Sequence, residues 1–389
     1  MKIFALLSRV PYPLDKGDKL RAYHQLRVLS QHHQIYLCCI DDDNSSADSI
    51  DHLKEFCHSV HVIPLSKAGI LFNIALAFLK GQPIQCGYFY SRKAQKEIDT
   101  LITKIKPDHI YCQLVRVTNY VSETKIPKTL DYQDVFSMGM KRRITAANFF
   151  LRPFFWMEYR RLARYEKIVF DQFDNKTIIT AADREFIPHP GKDQIAIISN
   201  GVDFDKFYPI LEEKAYDLVF TGNMAYPPNI DAAVFLAREI MPEIWKTKIN
   251  STLLIAGATP DRTVKELAQE KITVTGWVPD MPKAYASAKV FIAPMRLGTG
   301  LQNKLLEAMA MKTPCITSPL AFEAIGATAG QEIMVAGNAK EFAAAAISLL
   351  HNDEKAIAIA EAGYIFVQRN YDWQSSTAVL EKIMLNTTH

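Results

Sequence analysis

The sequence has no apolar run long enough to cross a bilayer. Its longest, Ala68 to Leu79, has 12 residues, against the ~18 or more that a spanning helix needs. Met1 to Leu7 reads as a short buried strand, and Arg9 and Pro11 end the apolar stretch too early for a secretory core. A cytoplasmic location is therefore expected. Cysteine is sparse: Cys38, Cys39, Cys57, Cys86, Cys112 and Cys315 show no metal-type spacing. Cys38 and Cys39 are adjacent in a strand-like run and point to opposite faces, so reduced thiols are expected rather than disulfides or a zinc site. The ten histidines form no H-x-x-x-H or H-E-x-x-H pattern. Net charge is also small, +3 from 45 basic and 42 acidic residues.

What is present is uneven. Residues 1–195 hold 28 basic and 21 acidic residues (+7), and residues 196–389 hold 17 and 21 (−4). Such a split predicts different partners for the two halves. A hydrophobic fraction of 49% with 22% charged residues excludes disordered and collagen-like classes. At 389 residues the chain exceeds one ordinary core and predicts two domains.

Short apolar runs alternate with helix-period segments. Ile3–Leu7, Ile35–Ile40, His109–Cys112, Thr129–Leu130, Thr177–Thr180 and Ile195–Ile198 read as buried strands, with a helix over Leu20–Gln31. The second half repeats the scheme, with strands at Asp217–Thr221, Thr252–Ala256, Ile272–Thr275 and Val290–Ala293. Helices are expected between them at Ile230–Ile240, Val264–Gln269 and Pro282–Ser287. This pattern predicts two α/β, doubly wound, Rossmann-like domains. Their seam is expected near Ser199–Asp203, giving 1–198 and 199–370, with a last helix over about 371–389 crossing back to the first domain. Ligands of such sheets bind beyond the carboxyl ends of the strands, which directs attention to the loops Pro11–Lys19, Gly222–Asn229, Gly257–Pro260 and Pro294–Lys304.

The last of these carries the clearest chemistry. Pro294-Met295-Arg296-Leu297-Gly298-Thr299-Gly300-Leu301-Gln302-Asn303-Lys304 joins a strand to a helix. Gly298 and Gly300 let the backbone approach a ligand, and the helix N-terminus offers free N–H groups to an anion. Arg296 and Lys304 add positive charge suited to a diphosphate. Glu307, one turn on, is placed to accept hydrogen bonds from ribose hydroxyls. The segment has neither the Gly-Lys-Ser/Thr of a P-loop nor the dinucleotide Gly-x-Gly-x-x-Gly.

The second half resembles the family-4-type GT-B glycosyltransferases. The resemblance rests on Asn200-Gly201-Val202-Asp203, Val219-Phe220-Thr221-Gly222, Leu254-Ile255-Ala256-Gly257, Val274-Thr275-Gly276-Trp277-Val278, Val290-Phe291-Ile292-Ala293-Pro294 and Lys304-Leu305-Leu306-Glu307-Ala308-Met309-Ala310, in that order. Pro11-Tyr12-Pro13, Gly17-Asp18-Lys19, Arg21 and Tyr226-Pro227-Pro228-Asn229 resemble a sub-group associated with bacterial exopolysaccharide assembly. The resemblance implies a GT-B fold with a cleft between its domains, and a retaining, metal-independent transfer of the hexosyl type from a UDP- or GDP-linked sugar. It assigns Gly222 to the phosphate side, the main chain of Val278 to the base and the N–H groups of Gly300 and Leu301 to the diphosphate, with Asn223, Gly257, Trp277, Gly298 and Thr299 as further donor-site residues. Glu307 would take the ribose, and Gly17 would cover the phosphates from the first domain. Two family features differ here. The first of the family's paired glutamates falls at Thr299, and the Arg/Lys pair after Gly222 is replaced by Asn223 through Asn229. Arg296 and Lys304 are expected to supply the missing positive charge and to stabilise the leaving diphosphate.

On the acceptor side, Asp131 and Asp134 follow a strand and could orient an acceptor hydroxyl or take its proton. A second reading makes Asp134 the cap of a helix beginning near Val135. Gln113 and Arg116 stand where relatives often carry a His. Asp41-Asp42-Asp43 reads as a solvated turn rather than a metal site, and Asp203 with Asp205 as a capping or hinge element. His32-His33 ends a helix, where the dipole accounts for them.

From Lys141 to Lys167 eight basic residues (Lys141, Arg142, Arg143, Arg152, Arg160, Arg161, Arg164, Lys167) face Glu158 and Glu166, a local +6 (8 − 2), with Trp156 and several Phe interleaved. This composition fits an anionic membrane surface beside a glycan or lipid-linked acceptor, peripheral on the inner face of the plasma membrane. A core-facing helix with a basic outer face is the other reading, and no nucleic-acid reader motif is present. The alternatives to a glycosyltransferase are a GT-B-fold nucleotide-sugar epimerase and a non-catalytic nucleotide-sugar- or solute-binding protein.

Overall fold

The computed structural model describes residues 1–389 apart from Asp43, Asn44, Thr299 and His389, and apart from the side chains of Ala146 and Thr388. The chain divides into two compact units, Met1–Ser199 with Trp373–His389, and Asn200–Asp372.

The first unit is built on a seven-stranded parallel sheet of β1 (Lys2–Leu7), β2 (Gln34–Asp41), β3 (Ser59–Pro64), β4 (His109–Gln113), β5 (Lys128–Asp131), β6 (Asn175–Ile178) and β7 (Ala196–Ile197), in the order β3-β2-β1-β4-β5-β6-β7. The central strands are apolar without alternation because helices cover both faces. Ile3, Phe4, Ala5 and Leu6 are all wholly buried. Cys38 packs in the core on one face and Cys39 in the core on the other, and all six cysteines are buried and free. The terminal helix Trp373–Thr388 belongs to this unit and places Leu380 and Met384 in the same core as Ile3 and Leu26. The helix Gly17–Leu29 ends before His32 and His33. Both histidines lie instead against the Glu381 carboxylate, at 3.2 and 2.8 Å, so this contact and not a place in the helix's last turn accounts for them.

The second unit repeats the plan with six parallel strands: β8 (Tyr216–Thr221), β9 (Leu253–Ala256), β10 (Ile272–Val274), β11 (Ala288–Ala293), β12 (Cys315–Thr317) and β13 (Met334–Val335), ordered β10-β9-β8-β11-β12-β13. In each sheet the strand order reverses beside the first strand, between β1 and β4 and between β8 and β11. These are the switch points where open α/β sheets bind ligands. The helix expected over Ile230–Ile240 is longer and broken. It starts at Pro227, makes a π turn over Leu236–Ile240 and resumes at Met241–Trp245. Pro242 has no N–H to donate into a regular helix, and the wider turn before it accommodates that loss.

Candidate active site

The second sheet's switch point is flanked by two loops, one after β8 beginning at Gly222 and one after β11 over Pro294–Gln302. A third, after β9, begins at Gly257. Gly257 allows the first and third loops to touch: a Cβ there would lie 1.7 Å from the carbonyl oxygen of Gly222. The sheet edge is thus held open as bare backbone. Gly298 and Gly300 both adopt left-handed backbone, φ 94° and 86°, and carry the loop after β11 past Pro228 to the helix Asn303–Ala310. Among the described residues that helix has no side-chain cap on its first N–H groups, which leaves its N-terminus open to an anion. Leu301 packs against the core and anchors the loop, and Thr299 lies outside the described residues.

Lys304 is brought to this edge. Its Nζ lies 3.2 Å from where a Gly222 Cβ would be, donates to Asn229 Oδ1 and sits over the Phe220 ring. Asn229 in turn donates from Nδ2 to the Asn223 carbonyl at 2.9 Å, while Asn223 Oδ1 accepts from Ala225 N–H and Thr259. Asn229 is therefore the residue that aims the lysine. Part of the Lys304 side chain reaches solvent, yet its charged end is crowded by protein. Burial pushes its pKa down to about 7, against the opposing charge of Glu307. An anion arriving at this edge would restore the charged form.

Glu307 follows one turn on. Tyr285 donates to its Oε2 at 2.6 Å and itself pairs with Thr221 Oγ1 at 2.9 Å. Burial raises the Glu307 pKa, while the Tyr285 hydrogen bond and the charges of Lys206 and Lys304 hold it down. Its other carboxylate oxygen has no hydrogen bond among the described residues. Tyr285, like Asn229, has no expected role in the sequence. It lies on a short helix, Met281–Ala286, whose aromatic residue reads simply as core. Trp277 is exposed, and Val278 packs partly into the core beside it.

Arg296 is placed differently from expectation. Its Nε and Nη2 form a bidentate pair with Asp231 at 3.0 and 2.7 Å, Nη1 reaches Glu239 at 3.5 Å, and the guanidinium lies over Phe235. It tethers the loop to the neighbouring helix, and two carboxylates offset its charge. Lys304 alone, of the two expected cations, stands at the glycine edge.

In the first unit, Asp131 is wholly buried and accepts from Arg21 Nε and Nη2 (2.6 and 3.1 Å), from Tyr111 (3.0 Å) and from Thr177 (2.9 Å). This places it inside the fold, with its lone pairs taken, rather than where an acceptor could reach it. Asp134 is exposed. The helix after it begins at Phe136 with Val135 as its cap. Glu166, not Asp134, accepts the Ser137 N–H at 3.0 Å, so the capping reading of Asp134 does not hold. Although part of the residue reaches solvent, protein crowds its carboxyl, and this loss of solvation raises the Asp134 pKa to about 6, with Asp183 adding to the rise and Arg142 and Arg116 opposing it. Gly17 opens the helix Gly17–Leu29 with nothing within 4 Å of a Cβ position. Arg142, Arg143, Trp156, Arg160 and Arg164 are exposed, and Arg161 is half-buried. Asp41 accepts from Ser45 N–H and Oγ, the geometry of a turn, and Asp43 lies outside the described residues. Asp203 accepts from Asp205 N–H within the start of the second unit.

Residues 215–352 match the family model of glycosyl transferases group 1. An uncharacterized 44.6 kDa protein in the cps region of Klebsiella pneumoniae is 22% identical over 95% of this chain and 96% of its own length. Among solved structures, sucrose-phosphate synthase from Thermosynechococcus elongatus is similar with a TM-score of 0.71 and 14% identity, over 99% of both chains. Anabaena Alr3699/HepE in complex with UDP and glucose is similar with a TM-score of 0.71 and 12% identity, over 99% of this chain and 100% of the other. Residues 215–352 of the second unit thus match the glycosyl transferases group 1 model, and the chain has the GT-B fold of two parallel-sheet, Rossmann-like units.

Proposed function

We propose that the protein is a glycosyltransferase that moves a hexosyl group from a nucleoside-diphosphate sugar, with retention, to a glycan or lipid-linked acceptor in cell-surface polysaccharide assembly. The observation that carries the reading is the placement of Lys304 against the bare backbone of Gly222 and Gly257 at the second sheet's switch point. Departure of the sugar leaves negative charge on the diphosphate. Lys304 and the uncapped N–H groups of the Asn303–Ala310 helix meet that charge from fixed positions. Glu307 suits a ribose diol, since one of its oxygens is already oriented by Tyr285. These groups supply the counter-charge that a divalent metal supplies elsewhere, so the reaction is proposed to need none. A uridine nucleotide is favoured because the similar Anabaena protein is described with UDP and glucose. The polysaccharide role is favoured because the Klebsiella relative comes from a cps region. Asp134, exposed past the end of β5 with a raised pKa, is the protein group proposed to hold the acceptor hydroxyl.

The test is titration calorimetry with UDP, GDP and a panel of their sugar conjugates in EDTA, followed by NMR of the product anomer. Binding of one nucleotide series, lost in Lys304→Ala, and a retained anomer are expected. Binding of every nucleotide unchanged by Lys304→Ala, or an inverted product, would overturn the assignment.

A further inference from the structure

Two features of the first unit remain unused by the donor and acceptor residues. The helix Lys67–Leu79, capped by Ser66 on Gly69 N–H, is almost uncovered: of its side chains only Ala77 is buried. Leu71, Phe72 and Leu79 are 70%, 69% and 81% exposed. The turn that opens the helix Arg152–Gln172 likewise presents Phe149, Phe150 and Trp156, at 76%, 88% and 51%. Soluble monomers rarely leave so much large apolar surface uncovered in one region.

The two features are tied together. Arg161 donates to the Phe78 carbonyl at 3.0 Å and lies over the Phe78 ring, and Glu158 accepts the Ile84 N–H at 2.8 Å. The apolar end of one helix is thereby fixed against the first half of the other.

The charge around them is more one-sided than the sequence count implies. Between Lys141 and Lys167 the sum is +6, but Glu158 and Glu166 are 2% and 0% exposed. Glu158 is spent on the N-terminus of the helix Ile84–Phe89 and Glu166 on that of Phe136–Ala146. Every charged side chain that this segment shows to solvent is therefore basic. Arg142 acts on Asp134 and Asp183, which leaves the other cations unmatched by acids of their own segment. Arg160 lies over the Trp156 ring, so a cation sits directly on an exposed aromatic. Lys67 and Lys80 flank the second apolar helix, which contains no acid.

We propose that this apolar ridge inserts into the interfacial layer of an anionic lipid bilayer, with the surrounding Arg and Lys side chains at headgroup level. Exposed aromatics within a basic rim, lacking surface acids, match an acyl boundary beneath negative headgroups. A protein partner of the same apolar character would not require the one-signed rim. The inference rests on the proposed function only for its purpose, presentation of a lipid-linked acceptor, and membrane binding is measured with no nucleotide present. Loss of the donor reading would leave the vesicle result intact, and the reverse also holds.

The experiment is co-sedimentation of the full chain with phosphatidylcholine vesicles, with and without about a quarter phosphatidylglycerol. Binding to the anionic vesicles only is expected, weakening about fivefold for each charge removed in Arg152→Gln and Arg160→Gln. Phe149→Ser with Phe150→Ser, and separately Leu71→Ser with Phe72→Ser, should each reduce binding at least tenfold while leaving the thermal midpoint unchanged. Brominated acyl chains should quench wild-type tryptophan emission, and Trp156→Phe should remove that quenching. Equal binding to neutral vesicles, undiminished binding by both serine pairs, or unquenched Trp156 would overturn the proposal. So would a solution dimer abolished by the serine pairs in a chain that does not bind vesicles, which would assign the ridge to a second copy.

Discussion

Asn229 accepts a hydrogen bond from Lys304 across 75 residues of chain, and the same amide holds the Asn223 carbonyl. The lysine is thus aimed at the edge made by Gly222 and Gly257 before any ligand arrives. Removing the amine should cost about 1.5–3 kcal/mol of donor binding, the range of a hydrogen bond to a charged group. Lys304→Ala is expected to raise the nucleotide Kd by tenfold or more in calorimetry. Asn229→Ala should give a smaller loss, because the charge stays but its direction is no longer fixed.

The same lysine sets a pH dependence. With a pKa of about 7 in the empty site it is largely neutral at pH 8, while a bound diphosphate stabilises the protonated form. Donor binding should therefore take up a proton above pH 7, and the Kd should rise with pH by up to about tenfold per unit. Calorimetry at pH 8 in buffers of different ionisation enthalpy measures that proton directly. In Lys304→Met the uptake should vanish; its persistence would move the titrating group elsewhere.

Gly257→Ala tests the close approach of the two loops. A Cβ 1.7 Å from the Gly222 oxygen forces backbone, not a flexible side chain, to move. Overpacking of this kind costs about 1–3 kcal/mol. A lower thermal midpoint together with loss of nucleotide binding is expected. Gly276→Ala is the control, since nothing lies within 4 Å of that position, and it should leave stability near wild type.

Asp131 and Asp134 are three residues apart and should behave oppositely. Arg21 and Asp131 form an ion pair with both side chains fully buried. Asp131→Asn leaves Arg21 short of its counter-charge, and breaking such a pair costs about 3–5 kcal/mol. The variant should unfold early in denaturant. Asp134→Asn, at an exposed carboxylate, should leave the denaturation midpoint unchanged and lower turnover by a hundredfold or more. If Asp134→Asn retains full turnover, Asp134 is not the acceptor group.

The fold was readable because each central strand is a dense apolar run between turn residues. β1, β4, β8 and β11 sit where those runs predict them. The strands at Ser59–Pro64, Cys315–Thr317 and Met334–Val335 escaped, the first because Ser, His and Pro interrupt its apolar run and the other two because they are only two or three residues long. Lys304 was readable from its place at a helix entry after two glycines, but Asn229 and Tyr285 were not. Each acts through a partner distant in sequence, 75 and 22 residues away. Arg296 was misleading for the same reason: the loop supplies its charge, while Asp231 and Glu239, which take it up, lie on another helix.

Glu158 and Glu166 illustrate the problem most sharply, since both look like surface glutamates of a basic helix and both cap other helices from inside the fold. For Glu166 this has a measurable consequence. Burial raises its pKa to about 7, with the Asp134 charge adding to the rise and the hydrogen bonds from Ser137 opposing it. The unfolded chain titrates near 4.3, so the native state binds the extra proton between those values. Its contribution to stability is fully present below pH 4.3 and is lost as pH rises through about 7. Glu166→Gln keeps an acceptor for the Ser137 N–H without a charge to desolvate. In urea denaturation between pH 5 and 8 the wild type should lose stability with rising pH more steeply than Glu166→Gln, and the variant should be the more stable of the two at pH 8. Parallel pH profiles would mean that Glu166 stays ionised throughout, held by its hydrogen bonds from Ser137 and Phe136 despite its burial.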